Sequence, residues 1–380
     1  MSGPRVLLIY PVRDDFAPSR GILNKMRYQA DALRSLGFEL TTVVGREEGV
    51  VFDDARLVKY RWTGGRPLRV LNHYGAFWKV IASHCAAEDY DVLYIRHPGT
   101  NPALLGFLAW MKNHNPKLRI VLEFASYPLR GEADTIAQRL VVASDAALSG
   151  LLRARVDHVV TFGDQSEIYG IPCIRSSNGV DVDALPIRSA SPFNPRAPRF
   201  LGVASLAKWH GYDRVLRGLR EFLDEKPDLA PHVSFAGDGP AAGELEELCT
   251  RLRLDDHVTF HGMTTGKALD ALFDQSDIAI ASLGMHRIGL QTASSLKTRE
   301  YCARGIPFVF AATDESFADG FPFALRIPVG DEPVDLSQVL ADYAIMLDEI
   351  DEPARKMRAY AAENLSWNRQ LSKIMEVVLG

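Results

Sequence analysis

The sequence predicts an α/β protein built from two doubly wound domains with parallel sheets. The length of 380 residues exceeds what one ordinary core requires. Short β-branched runs alternate with amphipathic stretches along almost the whole chain, which is typical of parallel strands joined by crossover helices. A proline-rich stretch near the middle divides this alternation into halves. With 47% apolar and 24% charged residues, the composition supplies enough material for two cores.

In the first half, apolar runs bounded by turn residues predict strands, and longer periodic stretches predict helices. The predicted strands are 6–10, 39–44, 92–95, 120–124 and 158–162. The predicted helices are 23–36 and 68–86.

The second half repeats this plan, so it predicts a second doubly wound unit. The predicted strands are 200–204, 233–236, 258–261, 278–282 and 307–311. The helix after the first of them has one apolar face, formed by Val215, Leu216, Leu219, Phe222 and Leu223.

We predict domain boundaries from the change in composition. Residues 1–184 form the first domain, and residues 199–351 form the second. Between them, 185–198 contains four prolines and no periodicity, as expected of a linker. The last stretch, 352–380, predicts a helix that packs back on the first domain. Two such domains would face each other across a cleft, with ligands at the carboxyl ends of the strands.

Charge, cysteine usage and apolar run length exclude several classes of protein. The net charge of -5 argues against a nucleic-acid binder. The four cysteines form no CxxC motif, as expected of reduced thiols in a cytoplasmic protein. The first residues lack the apolar stretch of a signal peptide, and no uncharged window reaches the ~18 residues that span a bilayer.

A basic and aromatic cluster, Arg61, Trp62, Arg66 and Arg69, has two readings. It is either a solvated surface or a peripheral contact with the inner membrane. The sequence alone leaves both open.

Two junctions between a strand and a helix in the second half carry residues suited to a ligand. Gly237, Asp238 and Gly239 form a turn that lets backbone approach a ligand, or only a tight turn. Lys208 and His210 stand at another helix entrance, as ligand-binding residues or as surface side chains.

The third junction places cations at the start of a helix. Ser294 or Ser295 would cap it, and Arg287, Lys297 and Arg299 lie close to its first turn. The helix dipole disfavours cations there by roughly 0.3 to 1 kcal/mol each, but a bound diphosphate would reverse the sign. The alternative is that these side chains reach into water.

Glu300 follows one turn later on the same helix. A carboxylate only accepts hydrogen bonds, so it suits the two donor hydroxyls of a ribose. Its alternative is an i, i+3 ion pair with Lys297, worth about 0.2 to 0.5 kcal/mol.

Together these residues resemble the retaining family 4 glycosyltransferases. The resemblance is carried by Glu300-Tyr-Cys-Ala-Arg-Gly-Ile-Pro307, by the Gly237 turn and by Asn178-Gly-Val-Asp181. Trp209-His-Gly-Tyr-Asp-Arg214, the stretch 294–307 and Glu123-Phe-Ala-Ser-Tyr-Pro128 are similar to transferases of bacterial capsule, exopolysaccharide or O-antigen clusters.

This resemblance implies the GT-B architecture and a nucleotide-diphospho sugar as co-substrate. It implies no other cofactor, no metal, and a saccharide or lipid-linked saccharide as acceptor. We expect the catalytic residues to be Lys208, Arg287, Lys297 and Glu300. The implied donor-binding residues are Ser205, His210, Gly211, Gly237, Asp238, Gly239, Ser294, Ser295 and Leu296. The implied acceptor-side residues are Gly21, Lys25, Glu123, Tyr127 and Glu132.

Glu123 keeps two interpretations at this point. It orients an acceptor hydroxyl, or it pairs with Arg96 or Arg130.

The sequence departs from the family at three positions. Ser205 and His210 stand where the family has the arginine and lysine that bind the donor diphosphate, and Thr292 replaces the first glutamate of E-x7-E. We infer that Lys208, Arg287 or Lys297 supplies the missing charge.

Other functions remain as rivals. A sugar-nucleotide epimerase or hydrolase would share the fold, and a catalytically inactive assembly protein would share the departures. An NAD-dependent dehydrogenase is disfavoured because no GxGxxG follows the first strand. Asp181-Val-Asp183 looks like a metal-binding D-x-D but lies in the NGVD segment, and the histidines lack zinc-ligand spacing.

Overall fold

The chain divides into two compact units, one formed by Met1–Ser177 with Trp367–Gly380 and the other by Asn178–Ser366. The computed structural model describes residues 3–15, 20–60, 66–124, 127, 136–189, 191–292, 294–317 and 320–380. The basic and aromatic cluster lies outside this part, because 61–65 are not described and neither are the side chains of Arg66 and Arg69. None of the described helices is both long and apolar enough to cross a membrane.

The first unit is built on a sheet of nine described strands. They are β1 (Arg5–Arg13), β2 (Glu39–Arg46), β3 (Gly49–Phe52), β4 (Arg56–Lys59), β5 (Val92–Arg96), β6 (Arg119–Phe124), β7 (His158–Thr161), β8 (Glu167–Ile168) and β9 (Ile171–Arg175). Their order is β4-β3-β2-β1-β5-β6-β7-β9-β8. The six central strands, β2, β1, β5, β6, β7 and β9, pair in parallel with one another. At the edges, β3 and β4 on one side and β8 on the other pair antiparallel.

Helices cover both faces of this sheet. They include α1 (Arg20–Ser35), α2 (Arg66–Cys85), α3 (Pro102–His114) and α4 (Ile136–Leu148). Alternate residues of each strand enter different cores, with Leu7 and Ile9 on one side of β1 and Val6 and Leu8 on the other.

The described residues of the second unit form six parallel strands in the order β12-β11-β10-β13-β14-β15. These are β10 (Arg199–Val203), β11 (His232–Ala236), β12 (Val258–Phe260), β13 (Ile278–Ile280), β14 (Phe308–Phe310) and β15 (Ala324–Arg326). The helices are α5 (Tyr212–Glu225), α6 (Ala242–Arg251), α7 (Gly266–Gln275), α8 (Leu296–Arg304), α9 (Leu336–Glu349) and α10 (Pro353–Tyr360). Numbered from its own first strand, this order is 3-2-1-4-5-6, so the prediction of a doubly wound sheet is confirmed.

The apolar face predicted for the first helix of this unit is buried. Its five members, from Val215 to Leu223, are each at most 5% exposed. Burying a side chain of this kind contributes about 1.5 to 3 kcal/mol. Hydrophobic periodicity therefore identified both the helix and the face that packs on the sheet.

The structure differs from the predicted boundaries at three places. Residues 178–184, predicted in the first domain, belong to the second unit. Residues 185–198 belong to the second unit, where the buried Arg188 donates to the carbonyl oxygens of Gly305 (2.9 Å) and Ser276. Four prolines therefore mark a stretch without regular structure and not a separate linker. The predicted 352–380 helix is α10, a π-helical turn at Ala361–Leu365 and α11 (Trp367–Leu379), of which α11 alone belongs to the first unit.

Candidate active site

The candidate site lies in the second unit, where the strand order reverses between β10 and β13. In a doubly wound sheet a ligand binds outside the carboxyl ends of the strands at this switch point. The loop after β10 carries Ser205 and His210, and the loop after β13 carries Ser282 and Arg287. Helix α8 begins shortly after the second loop.

Two glycines allow the loops at this edge to pack closely. Gly211 has φ of 65°, and a Cβ atom there would lie 2.9 Å from the backbone nitrogen of Gly284. Gly237 has φ of 136°, and its Cβ would lie 1.7 Å from the carbonyl oxygen of Ala204. The Gly237 turn therefore has a structural reason for its glycine, whatever it contacts in a complex.

Lys297 reaches from the first turn of α8 to the loops. Its Nζ lies 2.8 Å from Nδ1 and 3.3 Å from Nε2 of His210, and 3.5 Å from Oγ of Ser282. The aromatic ring of Tyr212 is 5.6 Å away. No carboxylate among the described residues pairs with this amine, so its surroundings are neutral acceptors and an aromatic face.

The ionisation of this pair follows from its surroundings. Burial lowers the pKa of Lys297 well below its ordinary value. Burial, and next the charge of Lys297, lower the pKa of His210 to about 2, so the imidazole is neutral at neutral pH. A neutral imidazole has one ring nitrogen without a proton, and Nδ1, which lies 2.9 Å from Ser282 and 2.8 Å from Lys297, can accept from either of them. An anion beside Lys297 would restore the pKa of the amine.

Of the three cations predicted near the start of α8, the two arginines have carboxylate partners. Arg287 donates to both oxygens of Asp213 at 2.7 and 3.0 Å, and to Asp331 at 2.7 Å. Arg299 is fully buried and forms a bidentate pair with Asp314. The expectation that three cations would face an anion together is therefore corrected. These pairs are not visible in the local sequence pattern, because Asp213 lies on α5 and Asp314 lies in the loop after β14.

Lys208 does not contact the Lys297–His210 pair with its side chain but points to the surface. Its side chain is 70% exposed and its Nζ lies 3.0 Å from Glu244, which is exposed as well. A surface pair of this kind contributes little to stability. Of the sequence-predicted cations, Lys297 is the one whose charge the described residues leave uncompensated.

Glu300 forms an ion pair along its own helix with Arg304, one turn later, and not with Lys297, one turn earlier. Its Oε1 accepts from Nε of Arg304 at 2.8 Å, and Arg304 also bonds Asp270 at 2.8 Å. Lys297 lies against His210 instead. The second carboxylate oxygen, Oε2, keeps acceptor capacity for a ligand.

The start of α8 is held in place by Asn178. The backbone N–H of Asn178 donates to Oγ of Ser294 at 2.7 Å, and its side-chain amide donates to the Ser294 carbonyl at 2.6 Å. Neither serine caps the helix with its side chain, since Ser295 is the capping residue but makes no such bond. The first N–H groups of α8, from the exposed Leu296 onward, thus remain available to an anion. Thr292 forms a bridge with Thr313 beside this start.

In the first unit, Glu123 is fully buried at the carboxyl end of β6. It accepts from Lys25 at 2.8 Å, from Gln29 at 2.9 Å and from Tyr94 at 2.9 Å. Burial raises the pKa of Glu123, but the charges of Lys25 and Arg96 outweigh this and hold it below its ordinary value. Burial lowers the pKa of Lys25 to about 8 against the attraction of Glu123. The geometry favours an ion pair, with Lys25 closer than the Arg96 considered before.

The remaining acceptor-side residues are only partly placed. Gly21 lies exposed in the first turn of α1. Tyr127 packs edge-on against Phe124 and Tyr169, with ring centroids 6.2 and 5.7 Å apart. Glu132 and Arg130 lie outside the described residues.

Comparison with known proteins adds the family of the second unit. Residues 184–319 match the family described as glycosyl transferases group 1. The matched residues include the switch point, the Lys297–His210 pair and Glu300.

Solved structures extend the likeness over the whole length of the chain. A glycosyltransferase from Rickettsia africae ESF-5 has a TM-score of 0.64 and 16% identity, covering 100% of this chain and 98% of that one. HepE (Alr3699) from Anabaena in complex with UDP has a TM-score of 0.63 and 13% identity, covering 98% and 100%. The lipopolysaccharide outer core galactosyltransferase WaaB, in its apo form, has a TM-score of 0.64 and 10% identity, covering 98% and 99%. The chain has the GT-B fold, with two Rossmann-like α/β units, as predicted. No curated protein sequence matches it.

The sequence did not reveal which side chains pair with each cation of the candidate site. The sequence predicts Ser282 as the end of a strand, and the structure shows that its Oγ also lies 2.9 Å from Nδ1 of His210. The sequence pattern gives no sign that Asp213 and Asp331 pair with Arg287, or that Asp314 pairs with Arg299. A serine at the end of a strand beside the switch point was the one visible signal. Among the described residues, no group of three or more His, Cys, Asp or Glu could hold a metal ion.

Proposed function

We propose that the chain transfers a sugar from a nucleotide-diphospho sugar to a saccharide or lipid-linked saccharide. The observation that carries this proposal is Lys297, a partly buried cation without a carboxylate partner, at the switch point of a group 1 glycosyltransferase domain. Where the family resemblance places a lysine, this chain has His210. Lys297 brings an ammonium group to the side of that histidine from α8. The charge is thus restored from a different element.

The proposed mechanism uses this charge when the donor bond breaks. Cleavage of the anomeric C–O bond leaves both electrons on the diphosphate and gives the sugar oxocarbenium character. The Lys297 ammonium and the first N–H groups of α8 stabilise the diphosphate as its charge develops, which is where fixed electrostatics lowers the barrier most. His210 accepts a hydrogen bond from Lys297 and so directs its remaining N–H groups.

Retention of the anomeric configuration is part of the proposal. The leaving diphosphate takes the proton of the acceptor hydroxyl, and that hydroxyl attacks the face the diphosphate leaves. No nucleophilic side chain and no metal are assigned. The acceptor side is assigned to the first unit, near Gly21 and Lys25.

We place the reaction in bacterial surface polysaccharide biosynthesis, such as capsule, exopolysaccharide or O-antigen. Support comes from the sequence motifs and from the fold shared with WaaB, a lipopolysaccharide outer core galactosyltransferase. The proposed location is the cytoplasm, with a peripheral contact at the inner membrane for a lipid-linked acceptor.

A thermal-shift screen with UDP, GDP, dTDP and their common sugars tests donor binding. A nucleotide at 100 times its Kd stabilises the bound chain by about 2.7 kcal/mol. UDP comes first because HepE is in complex with UDP. Product analysis with and without acceptor then separates transfer from epimerisation or hydrolysis. The absence of any shift would favour a catalytically inactive assembly protein.

Replacing Glu300 by Gln tests the ribose assignment. We expect the donor KM to rise about 10-fold, since a neutral amide replaces a charged acceptor of ribose hydroxyls. The measurement is the KM for the donor together with the Kd for UDP.

The matched control is Asp270→Asn, which breaks the other ion pair of Arg304 and leaves Glu300 in place. It should change the Kd for UDP less than twofold. Equal Kd values for UDP in wild type and Glu300→Gln would remove the ribose assignment.

The pH dependence of UDP affinity tests the protonation of Lys297. Burial lowers the pKa of Lys297 in the nucleotide-free chain, and the proposed diphosphate raises it again. Binding therefore takes up a proton above the lowered pKa, and affinity should fall about tenfold per pH unit there. Titration calorimetry from pH 7 to pH 10 measures this. Lys297→Arg stays protonated over this range, so its affinity should be flat; parallel profiles would contradict the assignment.

A further inference from the structure

A second switch point lies in the first unit, between β1 and β5. Tyr10 belongs to β1 and Arg96 is the last residue of β5, so both lie towards the carboxyl edge of this sheet. Arg96 is paired in register with Glu123 of β6. Since α1 follows β1, its N-terminal turn lies at the same edge. Arg96 thus stands where doubly wound sheets bind ligands.

The Arg96 guanidinium has no hydrogen-bond acceptor among the described residues. The nearest carboxylate oxygen, Oε1 of Glu123, is 3.7 Å from the guanidinium, which is within ion-pair distance but beyond hydrogen-bonding range. The ring of Tyr10 lies 5.9 Å from the guanidinium carbon. The side chain is 21% exposed, so most of it is shielded while part of it faces solvent.

Glu123 compensates this charge only in part, because other groups lie closer to its oxygens. Lys25, Gln29 and Tyr94 donate to it at 2.8 to 2.9 Å. The titratable groups that act on this carboxylate are Lys25 and Arg96. Two cations against one carboxylate leave a net charge of about +1 at the switch point.

Shielding a guanidinium from water costs free energy when its N–H groups find no acceptor, and a bound ligand that accepts from them would offset this cost. Its planar fork of N–H donors matches the two oxygens of a carboxylate or phosphate. We propose that Arg96 binds an oxyanion of the acceptor, a phosphate or a carboxylate, with the Lys25–Glu123 pair holding the surrounding side chains in position. This inference rests on the proposed function, since it names the class of acceptor.

The test titrates small anions into the 380-residue chain carrying Lys297→Met, so that the candidate donor cation does not contribute. The probes are inorganic pyrophosphate, glucuronate and neutral glucose. We expect at least one anion to bind and glucose not to bind. Adding Arg96→Gln should weaken that anion roughly 10- to 100-fold, the loss of a charge-assisted pair. Arg96→Lys keeps the charge without the fork and should give an intermediate affinity.

The matched control is Arg119→Gln, at the amino end of the neighbouring strand β6, where Arg119 lies 3.7 Å from Asp157 and is 54% exposed. It should bind the anion as its parent does. Tighter binding of pyrophosphate indicates a phosphate-bearing acceptor, and tighter binding of glucuronate indicates a uronic acid.

The proposal is overturned if neither anion binds, or if Arg96→Gln leaves the anion affinity unchanged. It is also overturned if Arg96→Gln in the otherwise wild-type chain weakens UDP binding, because Arg96 would then serve the donor. The titrations need no nucleotide, so a chain that binds no nucleotide would defeat the proposed function while Arg96 is still tested.

Discussion

Replacing Lys297 by Met is expected to lower kcat/KM by about 100- to 1000-fold and to remove the thermal shift caused by UDP. This is the loss produced when one fixed group that stabilises developing charge is deleted. The effect should be large because Arg287 and Arg299, the neighbours expected from sequence, are engaged with Asp213 and Asp314. They have no unpaired charge to offer in its place.

The same substitution should leave the stability of the nucleotide-free chain unchanged or raised. Burial lowers the pKa of Lys297, so folding disfavours its charged form, and methionine removes that penalty. A residue that only supported the fold would show the opposite pattern. Steady-state kinetics and thermal unfolding of the same preparation give both readouts.

The control for this prediction is Lys226→Met. Lys226 follows the last turn of α5, bonds Ser337 at 2.8 Å and lies at the opposite edge of the sheet from the switch point. Its activity and UDP shift should match those of wild type. If Lys297→Met kept its UDP affinity, the cation of the donor site would have to be sought elsewhere.

The fold was predictable from sequence because periodicity is a local signal. The face formed by Val215 to Leu223 and the strands around it follow from the spacing of apolar residues. The antiparallel edge formed by β3 and β4 was not predicted from the sequence. Strand order was not predictable in detail, because it depends on pairing between distant segments.

The candidate site was predictable only as a set of residues. The unusual charge at the start of α8 identified Lys297, but it equally identified Arg299. What separates them is a partner 15 residues further on, since Arg299 meets Asp314. Arg287 differs in the same way, because Asp213 is 74 residues away in sequence. Which cation remains uncompensated depends on tertiary contacts that no local pattern contains.

Replacing Glu123 by Gln is expected to destabilise the first unit by about 3 to 5 kcal/mol, because removing one partner of a buried ion pair leaves the other charge uncompensated. Lys25 is 4% exposed and Glu123 is fully buried. The neutral amide keeps the size of the side chain, so the loss reports on charge and hydrogen bonding rather than on a cavity. Denaturant unfolding of the full chain, with a probe in each unit, measures it.

The double variant Lys25→Met with Glu123→Gln separates an ion pair from a substrate-binding carboxylate. The Lys25→Met substitution removes the buried ammonium group, so no uncompensated charge remains from this pair and much of the lost stability should return. Asp31→Asn, at an exposed pair with Arg34 on the same helix, should leave the unfolding midpoint unchanged. If Glu123→Gln instead kept its stability and raised the KM for the acceptor, the carboxylate would orient the acceptor hydroxyl. The contacts from Lys25, Gln29 and Tyr94 argue against that outcome, because they leave Glu123 little capacity for a further donor.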